Sequence, residues 1–400
     1  MKKIVIIFYF LFSIISANAQ NWIILNSGIK HHLFSVHFED ADTGYAVGEG
    51  GIIINTTNGG ENWSIQNPGN NVDLNSVYFT DTKTGYAVGG SKYGLIVKTT
   101  NGGINWIIQN SNTSNRLHSV CFTDSIKGYA VGLNGTIMTT ADGGTNWTAL
   151  SSGTTNDLNS VYFTDSNVGY VVGSNGTILK TINGGTTWIA LSSGTTNFLQ
   201  SVYFIDSFTG YAAGWLGTII KTINGGSNWT IINSGTSNNL YSVYFTSANT
   251  GYVVGGDFTM MGMILTTTNG GTSWETDSSE TYNYLTSVFF TDPETGYVVG
   301  TYGTVLKTTN GGGVGINDNS CFYKRLQTYP NPVNDKLTIE TPGVTRNTFL
   351  SISNVNGQDL INRCITELKT QIDVSTLPAG VYSIRLKNEN IIEVTKIIKE

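Results

Sequence analysis

An all-β chain assembled from one repeated unit is the fold class this sequence predicts, and three observations predict it. First, the motif Thr-x-Asn/Asp-Gly-Gly-x-x-Trp occurs at Thr56–Trp63, Thr99–Trp106, Thr140–Trp147, Thr181–Trp188, Thr222–Trp229 and Thr267–Trp274. A seventh copy starts at Thr308 and stops after Gly312. Second, Gly-Tyr pairs begin at Gly44, Gly85, Gly128, Gly169, Gly210, Gly251 and Gly296, most of them 41 residues apart. Third, the chain holds 48 glycines and only 12% charged residues, with short Val-, Thr- and Tyr-rich runs between turn residues. That mixture makes strands joined by tight turns rather than helices. Its 39% hydrophobic and 11% aromatic content is too high for a disordered chain.

The elements follow in order. Residues 1–19 open on Met-Lys-Lys, continue through the apolar run Ile4–Ile15 and end in Ala-Asn-Ala. This is the layout of a secretory signal peptide, with cleavage expected between Ala19 and Gln20. The run is too short for a permanent membrane anchor, and no later stretch reaches about 18 continuous apolar residues. One repeat, read from Leu158, gives four strand-like runs: L-N-S-V-Y-F, G-Y-V-V-G, T-I-L-K-T and T-W-I-A-L. A 41-residue period with four strands marks the blades of a β-propeller.

Landmark spacings locate where the repeats differ. From each Trp to the next Gly-Tyr glycine the separation is 22 in all seven cases, beginning with Trp22 to Gly44. From Gly to Trp within a repeat it is 19, except for 21 in the second and 23 in the sixth. The extra residues fall between the second and third strands, at Gly89–Gly94 and Gly255–Gly262. Loops vary in length where packing does not fix them, and such loops often carry function. The two ends of the repeat region are complementary. Trp22 opens a fourth-strand sequence with no hairpin before it, and the seventh hairpin has no Trp after it. Residues 20–312 are therefore expected to form a seven-bladed propeller closed by its N-terminal strand, which removes two open sheet edges. Residues 313–326 read as a linker. Residues 327–400 read as a small Ig-like β-sandwich, with strands at Lys336–Glu340, Phe349–Ser353, Gln371–Val374, Val381–Lys387 and Ile391–Ile398.

The Thr-x-Asn-Gly-Gly-x-x-Trp hairpin resembles the Asp-box of sialidase-type and photosystem II assembly-factor-type propellers. Resemblance to the assembly-factor family covers Trp22–Gly312 and rests on G-Y-A-V-G and T-T-N-G-G-x-N-W. It implies an assembly scaffold, although that family's cationic patch has no counterpart here. The tail resembles the C-terminal sorting domain of type IX secretion cargo. The matching pieces are Tyr329–Pro332, Leu337–Ile339, Ile352–Gly357, Ile372–Tyr382 and Lys396–Lys399. That resemblance implies partners in the secretion machinery and its sortase, with the product released or held at the outer cell surface.

Charge and chemistry narrow the function. Residues 20–315 carry nine Lys and Arg against 18 Asp and Glu, with Arg116 the only arginine. Nucleic acid is excluded as a partner, because phosphate recognition needs clustered cations. The sialidase resemblance implies three arginines gripping a carboxylate, and one arginine cannot build that triad. Among the cysteines, Cys121 occupies a position that is Tyr or Phe in sibling repeats and reads as buried and apolar. Pairing of Cys321 with Cys364 stays open. Metal-ligand spacing is absent, and His31, His32, His37 and His118 have no carboxylate or cysteine partner nearby in sequence. No cofactor, metal site or catalytic residue is expected. Asn58, Asn101, Asp142, Asn183, Asn224, Asn269 and Asn310 read as turn acceptors, and Asp81, Asp124, Asp165, Asp206 and Asp292 as turn caps. Glu49, Asp157, Asp257 and Glu280 read as solvated charges.

What remains is the rim that holds the loops between second and third strands and the links between repeats. Exposed aromatics there stack on sugars or anchor peptides. Tyr93, Trp215, Phe258, Tyr284 and Tyr302 are the candidate ligand-binding residues, with Met260, Met261, Phe198 and Tyr282 nearby. The expected function is non-enzymatic binding of a glycan or protein ligand by an exported propeller. The alternative is a secreted glycoside hydrolase or lyase, which would need two carboxylates facing each other across the central funnel.

Overall fold

The computed structural model describes residues 21–66, 69, 71–256, 262–277, 279, 281–313, 327–340, 348–354, 358–367, 369–387 and 392–400. The leader, the loop with Asp257, Phe258, Met260 and Met261, Glu280, residues 314–326 and Cys321 lie outside the described residues. The chain divides into two compact units after Val314.

The first unit contains seven four-stranded antiparallel sheets among the described residues. The sheet that begins at Leu158 is typical, running Leu158–Phe163, Gly169–Gly173, Ile178–Thr181 and Ile189–Leu191 from its first edge to its last. The first strand departs from strict alternation: Leu158 and Val161 are both buried although three residues apart, because the register shifts by a bulge between Leu158 and Ser160. The Gly-Tyr pair has two separate jobs. The Phe163 ring lies where a side chain on Gly169 would project, 2.6 Å from an added Cβ, so only glycine fits. Tyr170 then reaches into the next sheet and stacks on Phe204 with ring centroids 3.9 Å apart. Trp229 closes the group by meeting Phe204 edge-on at 6.0 Å. Such offset and edge-to-face pairs add to the large apolar area that each ring buries.

The glycine-rich hairpin is organised by its threonine. Thr56 Oγ1 donates to Asn58 Oδ1 at 2.9 Å and accepts the backbone N–H of Gly60 at 2.9 Å. Asn58 Oδ1 also accepts the N–H of Asn62 at 3.0 Å. Gly59 and Gly60 have φ of 64° and 85°, where a Cβ would be strained. Asp142 makes the same contacts as its asparagine siblings, and the Asn146 and Thr140 donors hold its carboxyl down at about 2. Among the turn caps, the N–H groups of Phe208 and Thr209 keep the Asp206 carboxyl below its ordinary range.

Two sets of hydrogen bonds run from sheet to sheet and return to their start. The hydroxyl of each Gly-Tyr tyrosine donates to the first hairpin glycine carbonyl of the following sheet: Tyr45 to Gly102, Tyr86 to Gly143, Tyr129 to Gly184, Tyr170 to Gly225, Tyr211 to Gly270 and Tyr252 to Gly311. The seventh, Tyr297, donates to Gly59 of the first sheet at 3.0 Å. In the first strands, Val77 N–H donates to Ser35 Oγ, Val120 to Ser76, Val161 to Ser119, Val202 to Ser160, Val243 to Ser201 and Val288 to Ser242. Val36 N–H then donates to Ser287 Oγ at 3.3 Å. These bonds link each first strand to the next and the last of them to the first. Ile23–Leu25 is the outer strand of the sheet containing Leu285–Phe290, Gly296–Gly300 and Val305–Thr308, with Ile24 opposite Leu306.

The second unit has a three-stranded sheet, Gln327–Tyr329, Lys336–Glu340 and Lys369–Asp373. Its four-stranded sheet is ordered Asp359–Cys364, Phe349–Ser353, Gly380–Lys387 and Ile392–Lys399. Leu337, Ile339, Leu350, Ile352, Ile372, Ile384 and Ile397 are buried together in one core. Sequence reading missed Gln327–Tyr329 and Asp359–Cys364. The latter is an edge strand exposed almost throughout, so it carries no buried alternation to read. Cys364 is exposed and free among the described residues.

One expectation about histidine is corrected. His37 does have a carboxylate partner close in sequence, because its Nε2 lies 3.0 Å from Glu39 Oε1. Glu39 follows directly on the strand that ends at Phe38, where its carboxylate meets the His37 ring.

Candidate functional site: the axial cavity

Each first strand begins with the pattern Leu-x-Ser-Val, and the burial of its members dictates where x points. Leucine and valine enter the core, and serine bonds to the adjacent strand. The variable residue is left facing the axis. In sheet order these residues are Phe34, Asn75, His118, Asn159, Gln200, Tyr241 and Thr286, and all seven line one cavity of about 650 Å³. His32, Arg116, Tyr284, Thr301 and Tyr302 complete its wall.

The far end of the same strands forms a floor. Three residues beyond each variable position stand His37, Tyr78, Cys121, Tyr162, Tyr203, Tyr244 and Phe289. Neighbouring rings pack around the axis: Tyr162 and Tyr203 at 5.3 Å, Tyr203 and Tyr244 at 4.9 Å, Tyr244 and Phe289 at 5.6 Å, Phe289 and His37 at 5.1 Å. The tyrosine hydroxyls are engaged with the next strand, as Tyr162 donates to the Phe204 carbonyl at 2.9 Å. Burial pushes the Tyr162 phenol up to about 12. The Cys121 thiol is also raised by burial, so it remains a protonated apolar filler as its position suggests.

The wall has two chemically different arcs. One is amide and cationic. Asn75 Nδ2 donates to the Leu117 carbonyl at 2.6 Å, and its Oδ1 accepts from Arg116 Nη2 at 2.6 Å. Arg116 Nη2 also lies 3.5 Å from Asp73 Oδ2. Asn159 Nδ2 donates to the Leu199 carbonyl, and its Oδ1 lies 3.2 Å from His118 Nδ1. Burial, reinforced by the positive charge of Arg116, moves the His118 pKa below its ordinary 6.5 and favours the neutral ring. The other arc is aromatic and contains Tyr241, Tyr284, Tyr302, Phe34 and His32. His32 and Tyr302 meet edge-on at 4.8 Å, and the Tyr302 N–H donates to His32 Nδ1 at 3.1 Å.

Tyr302 is strained. Its φ is 54°, in the left-handed region. The equivalent loop positions hold Gly50, Asn134, Asn175 and Leu216, also at positive φ. Glycine and asparagine tolerate that conformation, whereas a bulky side chain there costs about 1–2 kcal/mol. Strained backbone of this kind gathers at functional sites.

The five candidate residues separate in space. Tyr284 and Tyr302 line the axial cavity. Tyr93 borders a different surface depression with Ile108 and Thr113. Trp215 stacks on Phe198 at 4.5 Å and is not part of the axial wall. Phe258 lies outside the described residues. Sequence reasoning missed the variable Leu-x-Ser-Val residues and Arg116 as wall components. Their signal was the one position that changes in an otherwise constant strand.

Among the described wall residues there is no carboxylate. The acids read as solvated charges have backbone work nearby: Asp157 Oδ1 accepts the Asn134 N–H at 2.9 Å and Glu49 Oε2 accepts the His32 N–H at 3.2 Å. No cluster of three or more His, Cys, Asp or Glu side chains that could hold a metal occurs among the described residues.

Comparison with known proteins gives two family matches. The profile described as photosynthesis system II assembly factor YCF48 matches residues 14–117, 145–236 and 228–315. The profile of the secretion system C-terminal sorting domain matches residues 327–400. No curated protein matches the sequence. Among solved structures, YCF48 bound to a D1 peptide is similar at 20% identity and a TM-score of 0.62, covering 72% of this chain and 97% of that one. YCF48 from Cyanidioschyzon merolae gives 20% identity and a TM-score of 0.60, covering 72% and 98%. The Niastella koreensis GH74 enzyme gives 15% identity and a TM-score of 0.58, covering 79% of this chain and 59% of that one. At these identities the structural likeness establishes the β-propeller fold and nothing about chemistry.

Proposed function

The chain belongs to the photosynthesis system II assembly factor YCF48 family and ends in a type IX secretion sorting domain; from these facts and the axial cavity we propose an exported, non-enzymatic binding propeller. The sorting domain makes it a secreted or cell-surface protein that engages the secretion machinery. In the proposed form, residues 20–312 are a seven-bladed ring fastened by Ile23–Leu25, and residues 327–400 are an Ig-like sandwich that serves export. The returning Tyr-to-Gly and Val-to-Ser bonds support the closed ring.

The ligand is a glycan or protein held in the mouth of the ring. One observation carries this reading: seven strands expose their single variable residue to one cavity, with Tyr284 and Tyr302 at its edge. Concave sites with a few convergent polar groups among aromatic walls are the usual form of a binding pocket. Two carboxylates at hydrolytic separation are what a glycosidase needs, and the described wall supplies none. The D1 peptide in the solved relative supports a protein ligand as one option.

Glycan-array and peptide-display screening of the protein tests the proposal, followed by titration of hits against Arg116→Ala, Tyr284→Ala and Tyr302→Ala. Binding that weakens in these variants, with the ligand recovered intact, is expected. Binding indifferent to all three, or a cleaved ligand, would overturn it.

A further inference from the structure

The shape of the cavity limits what can enter. Its wall is a full turn of seven strands, and its floor is the packed layer from His37 to Phe289. A well of this form, set on the axis of a ring, admits the end of a chain and does not let a chain pass through. A peptide end brings a full charge, either ammonium or carboxylate. Burying a charge without a matched partner is costly.

The described wall offers little to match one. Arg116 donates from Nη2 to Asn75 Oδ1 and its charge is balanced by the Asp73 carboxylate 3.5 Å away, which leaves its buried Nε–H as a donor suited to a hydroxyl. His118 is held neutral by burial and by Arg116. No wall carboxylate is present among the described residues to receive an ammonium. The other polar groups are amides, phenols and hydroxyls, which both donate and accept. Gln200 faces the cavity from the amide arc, and Tyr284 faces it from the aromatic arc.

We infer that the well takes the end of an uncharged oligosaccharide, with a sugar ring against Tyr284 and Tyr302 and its hydroxyls toward Gln200 and the amide arc. The inference rests on the mouth being the ligand site. A sugar end is a neutral chain terminus with one apolar face and a belt of hydroxyls, and the two arcs present the complementary chemistry. A volume of about 650 Å³ has room for a short saccharide.

The test is calorimetric titration of the full chain with malto-, cello-, xylo-, manno- and chitohexaose. Hexagalacturonate, a hyaluronan hexamer and a display library of free-ended peptides are run in parallel. At least one neutral hexamer is expected to bind, with the acidic hexamers at least tenfold weaker. Tyr284→Ala and Gln200→Ala should each weaken that binding tenfold or more, whereas Phe208→Ala, in a turn between first and second strands, should not. Unchanged melting temperatures establish that the variants fold. No binding by any neutral hexamer, or equal binding of acidic ones, overturns the inference. Peptide binding that is lost in Tyr284→Ala and Gln200→Ala overturns the saccharide assignment alone and leaves the mouth as the site. Saccharide binding untouched by both variants overturns the mouth reading as well.

Discussion

The indole N–H of Trp22 donates to Asp277 Oδ2 at 3.1 Å, joining the N-terminal segment to the last strand of the preceding sheet. Trp22 is fully buried and meets Phe290 edge-on at 6.0 Å. It thus occupies, for the seventh sheet, the place that Trp229 and its siblings hold in theirs. Trp22→Ala should cost about 3–5 kcal/mol, the range for truncating a large buried aromatic. Urea unfolding measures it. A loss under 1 kcal/mol would show that the fastening contributes little. Deleting residues 21–28 should lower the melting temperature further, because the Val305–Thr308 strand then loses its outer partner.

A second prediction concerns the indole N–H groups. Trp106 Nε1 donates to Gln66 Oε1 at 3.0 Å. Trp188 and Trp229 have no such acceptor among the described residues, and Leu150 and Leu191 pack against them where Gln66 packs against Trp106. Gln66→Leu should therefore destabilise by about 1–3 kcal/mol by orphaning a buried donor. In a Trp106→Phe background the same change should be close to neutral, since no donor remains. A double-mutant cycle by thermal melting decides it, and equal effects in both backgrounds would refute the pairing argument.

Tyr302 sets stability against binding. Replacing it with asparagine, as found at Asn134 and Asn175, should raise stability by roughly 1 kcal/mol through relief of the left-handed strain. The same variant should bind the ligand at least several-fold more weakly. Improved or unchanged binding together with higher stability would remove Tyr302 from the site.

His118 predicts an acid-side loss of stability. Its folded pKa lies below the ordinary 6.5, owing first to burial and then to Arg116, while Asn159, the Leu158 carbonyl and Asp157 oppose the shift. Between those two values the unfolded chain binds more protons than the folded one. Stability is therefore intact above pH 6.5 and falls as pH drops through that window. His118→Asn, which copies Asn75 and Asn159, should flatten this part of the profile. A parallel fall in both proteins between pH 7 and 5 would assign the effect to other groups.

The repeat itself was plain in the sequence because each landmark has a local cause. Thr56, Asn58 and Gly60 bond to one another within five residues, so their spacing announces the turn. Gly44 and Phe38 announce each other because the ring needs the missing side chain. The cavity was less legible. Gln200 and Asn159 are unremarkable polar residues until seven strands, each about 41 residues from the next, are drawn around one axis. Exposed aromatics were the signal followed instead, and that signal also selects Trp215, which stacks on Phe198 away from the cavity wall. Of the aromatics singled out, Tyr284 and Tyr302 line the axial cavity.

The pairing of Ile24 with Leu306 also has a kinetic consequence. About 280 residues separate these partners, so the loop their contact closes is among the longest the unit contains. During vectorial synthesis the opening strand must wait, unpaired, until the rest of the repeat region has emerged. Its three-residue length and partly exposed isoleucines then become a hazard of adhesion to other chains. Completion of the unit is consequently a late, high-contact-order event.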